Sequence, residues 1–333
     1  MSSGSSSAAV SEACGCLRWS FHTTSWEPSN AQEWLRLLEG VQPEECARIS
    51  RFHHRENAKE ALIGRLMLRQ AALKLIGPES GLGWDQLRFE RTEKGKPVLR
   101  WPAMNTTGNG ENNEELPGLN VSHHGDYVVL ASSCSNMCGV DVMEIRRPTG
   151  MTSMDEYIEL MSRQLSAREL EYVRGFRNEK ARMTAFYRIW CLKESYIKAL
   201  GIGIHSDLHK LDFDIRSPLC FGSVVTDTRL QLGGGTGQES NSGAWRFEES
   251  LLDENHCTAV CCSAKRRKLS DDNCARMCKY ACATGFSVAA PQFRAISMSE
   301  LIQGMRPVHS ALDAEEEWSN FQAKTYKSPA SAS

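Results

Sequence analysis

Slid against itself by 124 positions, this chain lines up with itself without a gap. Glu45 falls on Glu169, Ile49 on Val173 and Phe52 on Phe176. Ala61 then meets Ala185, Arg69 meets Lys193, Lys74 meets Lys198 and Gly77 meets Gly201. The register runs on to Leu87 on Leu211 and Phe89 on Phe213. Each copy reads as an amphipathic helix ending at a glycine, then a loop, then a short L-x-F strand. A duplicated unit of this kind buries its apolar face against its twin, which excludes most other folds. The expected class is α+β, with two homologous α/β halves packed as an intramolecular pseudo-dimer. The first half is drawn over 15–137, the second over 138–264, and 265–333 reads as a weakly periodic, partly disordered tail.

Both halves close on a strand, Tyr127 to Ala131 (YVVLA) in the first and Cys257 to Cys262 (CTAVCC) in the second. Two stretches rich in Gly and polar residues, Asn105 to Gly118 and Leu232 to Gly243, read as surface insertions. Charge then narrows the function. With 39 basic and 41 acidic residues the net charge is −2, which speaks against a protein that grips nucleic acid or an anionic membrane. No apolar run approaches the roughly 20 residues that span a bilayer. The start, MSSGSSSAAVSEACGC, has neither the basic end nor the apolar core of a secretory leader. Thirteen cysteines scattered through 333 residues fit reduced thiols in the cytosol better than a disulfide framework. Cys274, Cys278 and Cys282 share a helix face, but their spacing suits small buried hydrophobes better than a zinc site. Lys265 to Lys268 (KRRK) reads as a solvated edge rather than an import or nucleic-acid signal.

The two copies differ where chemistry would sit. The helix of the second half reads FYRIWCLKESYIKALG from Phe186 to Gly201, with Lys193-Glu194 where the first half has Arg69-Gln70. Trp190, Glu194 and Lys198 are four apart and share a face. An i,i+4 ion pair between Glu194 and Lys198 is the plain reading of that spacing. Three further stretches raise the stakes. CGVDVMEI, Cys138 to Ile145, is a strand with valines on one face and Asp141 on the other. In NVSHHGDY, Asn120 to Tyr127, paired histidines and a glycine lead into a strand. RTEKGKPVL, Arg91 to Leu99, offers cations and free backbone N–H groups that suit a phosphate.

In this order the motifs resemble those of the Sfp-type 4′-phosphopantetheinyl transferases, from about Leu17 to Ala264. The family's W-x-x-K-E-S-x-x-K-A motif is present as Trp190, Lys193, Glu194, Ser195, Lys198 and Ala199. Its G-x-D is Gly139 and Asp141, its S-H is Ser122 and His123, and its K-G-K-P loop is Lys94 to Pro97. The resemblance implies an enzyme, a holo-[acyl-carrier-protein] synthase. It moves phosphopantetheine from coenzyme A to a serine of an apo acyl-carrier or peptidyl-carrier domain and releases adenosine 3′,5′-bisphosphate. It implies Mg²⁺ on Asp141 and Glu194, with Glu194 as base and Lys198 as electrostatic clamp. Coenzyme A would be held by Arg48, by the run Arg91, Thr92, Glu93, Lys94, Gly95 and Lys96, and by Asn120, Val121, Ser122 and His123. Carrier domains of the fatty acid synthase and aminoadipate-semialdehyde dehydrogenase types are the expected partners, and a monomer the expected state. One rival reading is a non-catalytic coenzyme A- or carrier-binding relative, against which intact Asp141, Glu194 and Lys198 weigh and for which Met143 alone speaks. The other is a nucleic-acid binder using KRRK and the basic loop, told apart by whether coenzyme A or nucleic acid protects the protein against heat.

One position departs from the bacterial G-x-D-x-E pattern. Met143 stands where the second acid would be, as in the animal branch. If the strand continues, Met143 shares the face of Asp141 and Glu144 points away. The open metal position then falls to water or to another side chain, with His124 a poor candidate because imidazole suits Mg²⁺ badly.

Overall fold

The computed structural model describes residues 16–100, 117–133, 137–203, 207–232, 244–263, 290–310 and 312–327. Lys265 to Lys268, the three spaced cysteines and most of the two insertions lie outside them. Two helix pairs carry the repeat. Helix α1 (Ala31–Glu39) precedes α2 (Pro43–Ser50) and α3 (Arg55–Ile76); α4 (Met154–Met161) precedes α5 (Ala167–Arg174) and α6 (Glu179–Leu200). Helices α2 and α5, and α3 and α6, start and stop at residues related by the same shift of 124. Their starts follow from sequence. Pro43 opens α2 with Glu44 and Glu45 in its first turn, while Ser166 and Glu169 form a reciprocal cap on α5. Gly201, at φ 71°, ends α6 in the left-handed region that glycine enters freely.

A buried cation ties each long helix to the loop that follows. Arg69 Nη2 donates to the carbonyls of Trp84 (3.1 Å) and Leu87 (3.2 Å). Lys193 Nζ donates to those of Leu208 (2.7 Å) and Leu211 (2.6 Å), the same positions one repeat later. The duplicated unit therefore keeps its internal strut although its side chain has changed.

The strands are β1 (Arg18–His22), β2 (Arg88–Arg91), β3 (Pro97–Arg100), β4 (Gly118–His124), β5 (Tyr127–Ser133), β6 (Cys138–Glu144), β7 (Leu211–Asp214), β8 (Arg229–Leu232), β9 (Trp245–Asp253), β10 (His256–Ser263) and β11 (Arg294–Ala295). The first half's sheet runs β11-β1-β5-β4 and the second's β6-β10-β9, so β1-β5-β4 and β6-β10-β9 are repeat-related triplets. Strands β2-β3 and β7-β8 form separate hairpins. Three apolar clusters fill the halves. A fourth, of Val129, Ala131, Val140, Val142 and Val260 among others, lies between them.

Strands β4 and β6 run side by side, yet they belong to different sheets. Side chains join them. Asn120 Oδ1 accepts from the Val140 amide (2.9 Å), Ser122 Oγ donates to Asp141 Oδ1 (2.9 Å), and His124 Nδ1 accepts from the Glu144 amide (2.9 Å). Residues two apart on β4 thus make the seam, as strand periodicity requires.

Part of the stretch read as a tail is folded. Strand β11 pairs in parallel with β1, and α7 (Met298–Leu301) and α8 (Ala314–Ala323) pack on the first half. Phe321 of α8 sits against Trp34 with ring centroids 4.2 Å apart. The sequence pattern is weak because each of these helices fully buries a single side chain, Leu301 in α7 and Phe321 in α8.

Candidate active site

The second long helix, α6, lies directly on β6, and a missing side chain permits it. A Cβ on Gly139 would stand 3.0 Å from Ala199 Cα, and closer still to the Ser195 carbonyl and the Ala199 amide. That approach brings Glu194 and Lys198 of the helix against Asp141 of the strand. Lys198 Nζ lies 2.6 Å from Asp141 Oδ1 and donates to Ser122 Oγ at 2.7 Å. The simple i,i+4 pair is not what forms: Lys198 reaches across the seam to Asp141, and Glu194 Oε1 is left without a hydrogen-bond partner. Asp141 Oδ2 is likewise buried and unpartnered. Burial, and then the neighbouring Asp141, push the Glu194 carboxyl above its ordinary value, against the pull of Lys198.

Two buried carboxylate oxygens with no donors suit a hard divalent cation whose remaining ligands are water and substrate oxygens. Among the described residues no group of three or more His, Cys, Asp or Glu side chains converges in that way. Those residues offer two, Asp141 and Glu194. Strand β6 pairs with β10 without a break as far as Glu144, so Met143 stays on the Asp141 face. Glu144 turns instead to Arg146, 3.2 Å away. His124 is spent on the seam, and burial lowers its pKa.

The cationic groups divide into two kinds. Arg48 on α2, Arg65 on α3 and Arg91 on β2 crowd together, with Glu45 as their neutralising acid; Arg65 Nη1 lies 3.3 Å from Glu45. Burial, and then Arg65 and Arg48, bring Arg91 down to about 10. Mutually repelling guanidinium groups are what an anion relieves. Arg65 escaped the sequence reading; its one signal is that it stands a helical turn before the strut residue Arg69. Lys94, at the tip of the β2-β3 hairpin, has its stem beside Gly203.

Lys96 belongs to the other kind, tied into the fold. Its Nζ donates to the Ala199 carbonyl (2.9 Å) and the Cys138 carbonyl (3.3 Å), so it pins the hairpin to the end of α6 and the start of β6. Two of its three N–H donors are thereby spent on the fold. The loop itself is a tight turn: Thr92 Oγ1 accepts from the Lys96 amide, Gly95 takes φ 83°, and Arg91 Nη1 donates to the Gly95 carbonyl. Glu93 is exposed. On β4, Asn120 is occupied by the seam and Val121 packs beside Gly64 of α3. His123 faces α3, with Nδ1 3.0 Å from Glu60 Oε2. Lys193 is a strut and not a site residue, fully buried against Glu169 at 2.7 Å.

Profiles of known families divide the chain as its repeat does. The 4′-phosphopantetheinyl transferase N-terminal profile matches residues 24–135, and that of the 4′-phosphopantetheinyl transferase superfamily matches 137–261. The chain is 41% identical over 246 residues to the L-aminoadipate-semialdehyde dehydrogenase-phosphopantetheinyl transferase of Pongo abelii, covering 73% of this chain and 74% of that protein. The Homo sapiens protein of the same name gives the same identity and coverage. A 4′-phosphopantetheinyl transferase of Bacillus subtilis is 29% identical over 179 residues, 53% of this chain and 67% of that protein. With its duplicated halves, its two buried carboxylates and Lys198 at the seam, the chain belongs to the 4′-phosphopantetheinyl transferase superfamily.

Proposed function

We propose that the protein transfers the 4′-phosphopantetheine group of coenzyme A to a serine hydroxyl of a carrier domain, with Asp141, Glu194 and Lys198 as the reacting centre. The observation that carries this reading is the pair of buried, unpartnered oxygens, Asp141 Oδ2 and Glu194 Oε1, beside the Lys198 ammonium. Asp141 and Glu194 would hold Mg²⁺, which when bound neutralises the pyrophosphate. Glu194 takes the proton of the serine hydroxyl, a role that its raised pKa suits. The serine oxygen forms a bond to the β-phosphorus as the bond to the α-phosphate oxygen breaks. Lys198 balances the charge that builds on the departing adenosine 3′,5′-bisphosphate. Arg48, Arg65 and Arg91, with Lys94 and His123, hold the nucleotide phosphates from the first half.

The carrier substrates in this reading are domains of the fatty acid synthase and aminoadipate-semialdehyde dehydrogenase types, modified in trans. Both halves of the site lie in one chain, which supports action as a monomer. Cys191 and Cys257, buried with their sulfurs 3.8 Å apart and unlinked, support a reducing cytosol.

The test is Glu194→Gln with coenzyme A, Mg²⁺ and an apo carrier domain, read by intact mass. Transfer should nearly vanish while coenzyme A affinity stays within a few-fold. Mg²⁺ should raise the melting temperature of the wild type and not of Asp141→Asn. A Glu194→Gln variant with a third of wild-type turnover would refute the assignment of the base.

A further inference from the structure

The C-terminal segment beyond residue 290 lies outside both family profiles, yet it reaches the first half's side of the site. After α8 the chain runs beside the start of α3. The Arg55 amide donates to the Thr325 carbonyl (2.9 Å), and the Thr325 amide donates to the His53 carbonyl (3.2 Å). Lys324 Nζ donates to the carbonyls of Ser50 (2.7 Å) and Phe52 (2.9 Å), at the end of the helix that carries Arg48. Three residues further on, the Lys327 amide donates to Glu56 (3.0 Å), and Lys327 Nζ comes within 3.3 Å of Glu60 Oε1.

Glu60 is a buried carboxylate for which the transfer reaction has no use. Its other oxygen, Oε2, lies 3.0 Å from His123 Nδ1. Burial works against its ionisation, but the His123 imidazole and the Lys327 ammonium together hold it below the ordinary carboxylate range. A carboxylate gripped at both oxygens cannot rotate, so the ring it faces has one orientation. With Nδ1 turned inward, Nε2 stands at the opposite edge of a side chain that is 46% exposed. His123 also follows Ser122, which bonds to Asp141 and Lys198, so the ring is registered to the reacting centre through a single peptide.

We infer that Glu60, clamped by Lys327 of the C-terminal strap, is a positioning residue that presents His123 Nε2 to the phosphates of the nucleotide end of coenzyme A. The inference rests on His123 being a phosphate contact, as proposed above. A part of the chain beyond the duplicated unit thereby tunes the affinity of a site that the duplicated unit builds.

The experiment uses the full chain, with adenosine 3′,5′-bisphosphate as calorimetric probe and steady-state kinetics with coenzyme A alongside. His123→Ala should weaken the probe about tenfold, the scale of one charge-assisted hydrogen bond. Glu60→Gln and Lys327→Met should each weaken it by about threefold and raise the KM for coenzyme A in step, with kcat within twofold. Lys327→Arg should bind as wild type. In a His123→Ala background, Lys327→Met should cost nothing further, because its effect passes through the missing ring. If His123→Ala weakens binding while Glu60→Gln and Lys327→Met do not, the positioning role is overturned and the phosphate contact stands. If His123→Ala binds as wild type, the contact itself is wrong and the inference falls with it. A loss from Lys327→Met that persists without His123 would make Lys327 a direct ligand and overturn the inference.

Discussion

Replacing Gly139 by alanine adds one methyl group at the place where β6 and α6 touch. That carbon would stand 3.0 Å from Ala199 Cα and nearer to the Ser195 carbonyl and the Ala199 amide, where ordinary contact begins at 3.4 Å. All three are backbone atoms, so no side-chain rotation relieves the overlap. The helix must withdraw by about 1 Å, as interiors packed to crystal density have no slack to absorb it. Overpacking of this kind costs about 1–3 kcal/mol. At about 2–4 °C per kcal/mol, the melting temperature should fall by roughly 2–12 °C. The larger effect is on catalysis, because the withdrawal parts Glu194 and Lys198 from Asp141. A misplacement of about 1 Å is worth on the order of a hundredfold in turnover. The assay is transfer to an apo carrier domain followed by intact mass, with thermal melting in parallel. Gly64→Ala is the control: its Cβ would meet Val121 Cγ2 at 3.4 Å, ordinary contact, and alanine favours the middle of α3 by about 0.5–1 kcal/mol. Wild-type turnover and stability in Gly139→Ala would refute the claim that the glycine sets the helix-to-strand distance.

Lys193→Met should destabilise the protein by about 3–5 kcal/mol in denaturant titration, because Glu169 would be left as a buried charge without its partner. Arg69→Met should cost less, since the Arg69 Nε and Nη1 make no hydrogen bonds; equal losses would contradict this. Met143→Glu should lower the Mg²⁺ concentration needed for half-maximal transfer, because it puts an anionic oxygen on the Asp141 face of β6. Glu144→Ala should leave that requirement unchanged, since its side chain pairs with Arg146. A marked rise would place Glu144 in the metal site.

The sequence carried the architecture because a repeat is a long-range constraint written in local patterns. The 124-residue shift placed the glycines that end α3 and α6, and the alternation in CGVDVMEI put Asp141 and Met143 on one face. The division of labour among cations could not be read in the same way. Lys94 and Lys96 look alike in K-G-K-P, and only the arrival of Ala199 and Cys138 carbonyls tells which ammonium is spent on the fold. Lys193 sits inside the catalytic motif, but its partners, Glu169, Leu208 and Leu211, were legible only as conserved spacing between the two copies. The contact from Lys327 to Glu60 joins residues from opposite ends of the chain, and no periodicity links them.

The seam between β4 and β6 has a mechanical consequence. Within each sheet, backbone bonds tie strand to strand along the pair; across the seam the ties are made by side chains, Asn120, Ser122 and His124 on β4, with Lys198 bonding back to Ser122 and Lys96 pinning the β2-β3 hairpin to α6 and β6. Side-chain torsions are softer than a peptide ladder, so strain applied to the two halves collects along this line. The phosphate grip proposed for Arg48, Arg65 and Arg91 belongs to one half, and Glu194 and Lys198 to the other. A substrate that bridged the two would load this seam, and Asp141, bonded to Ser122 across it, sits where the halves meet.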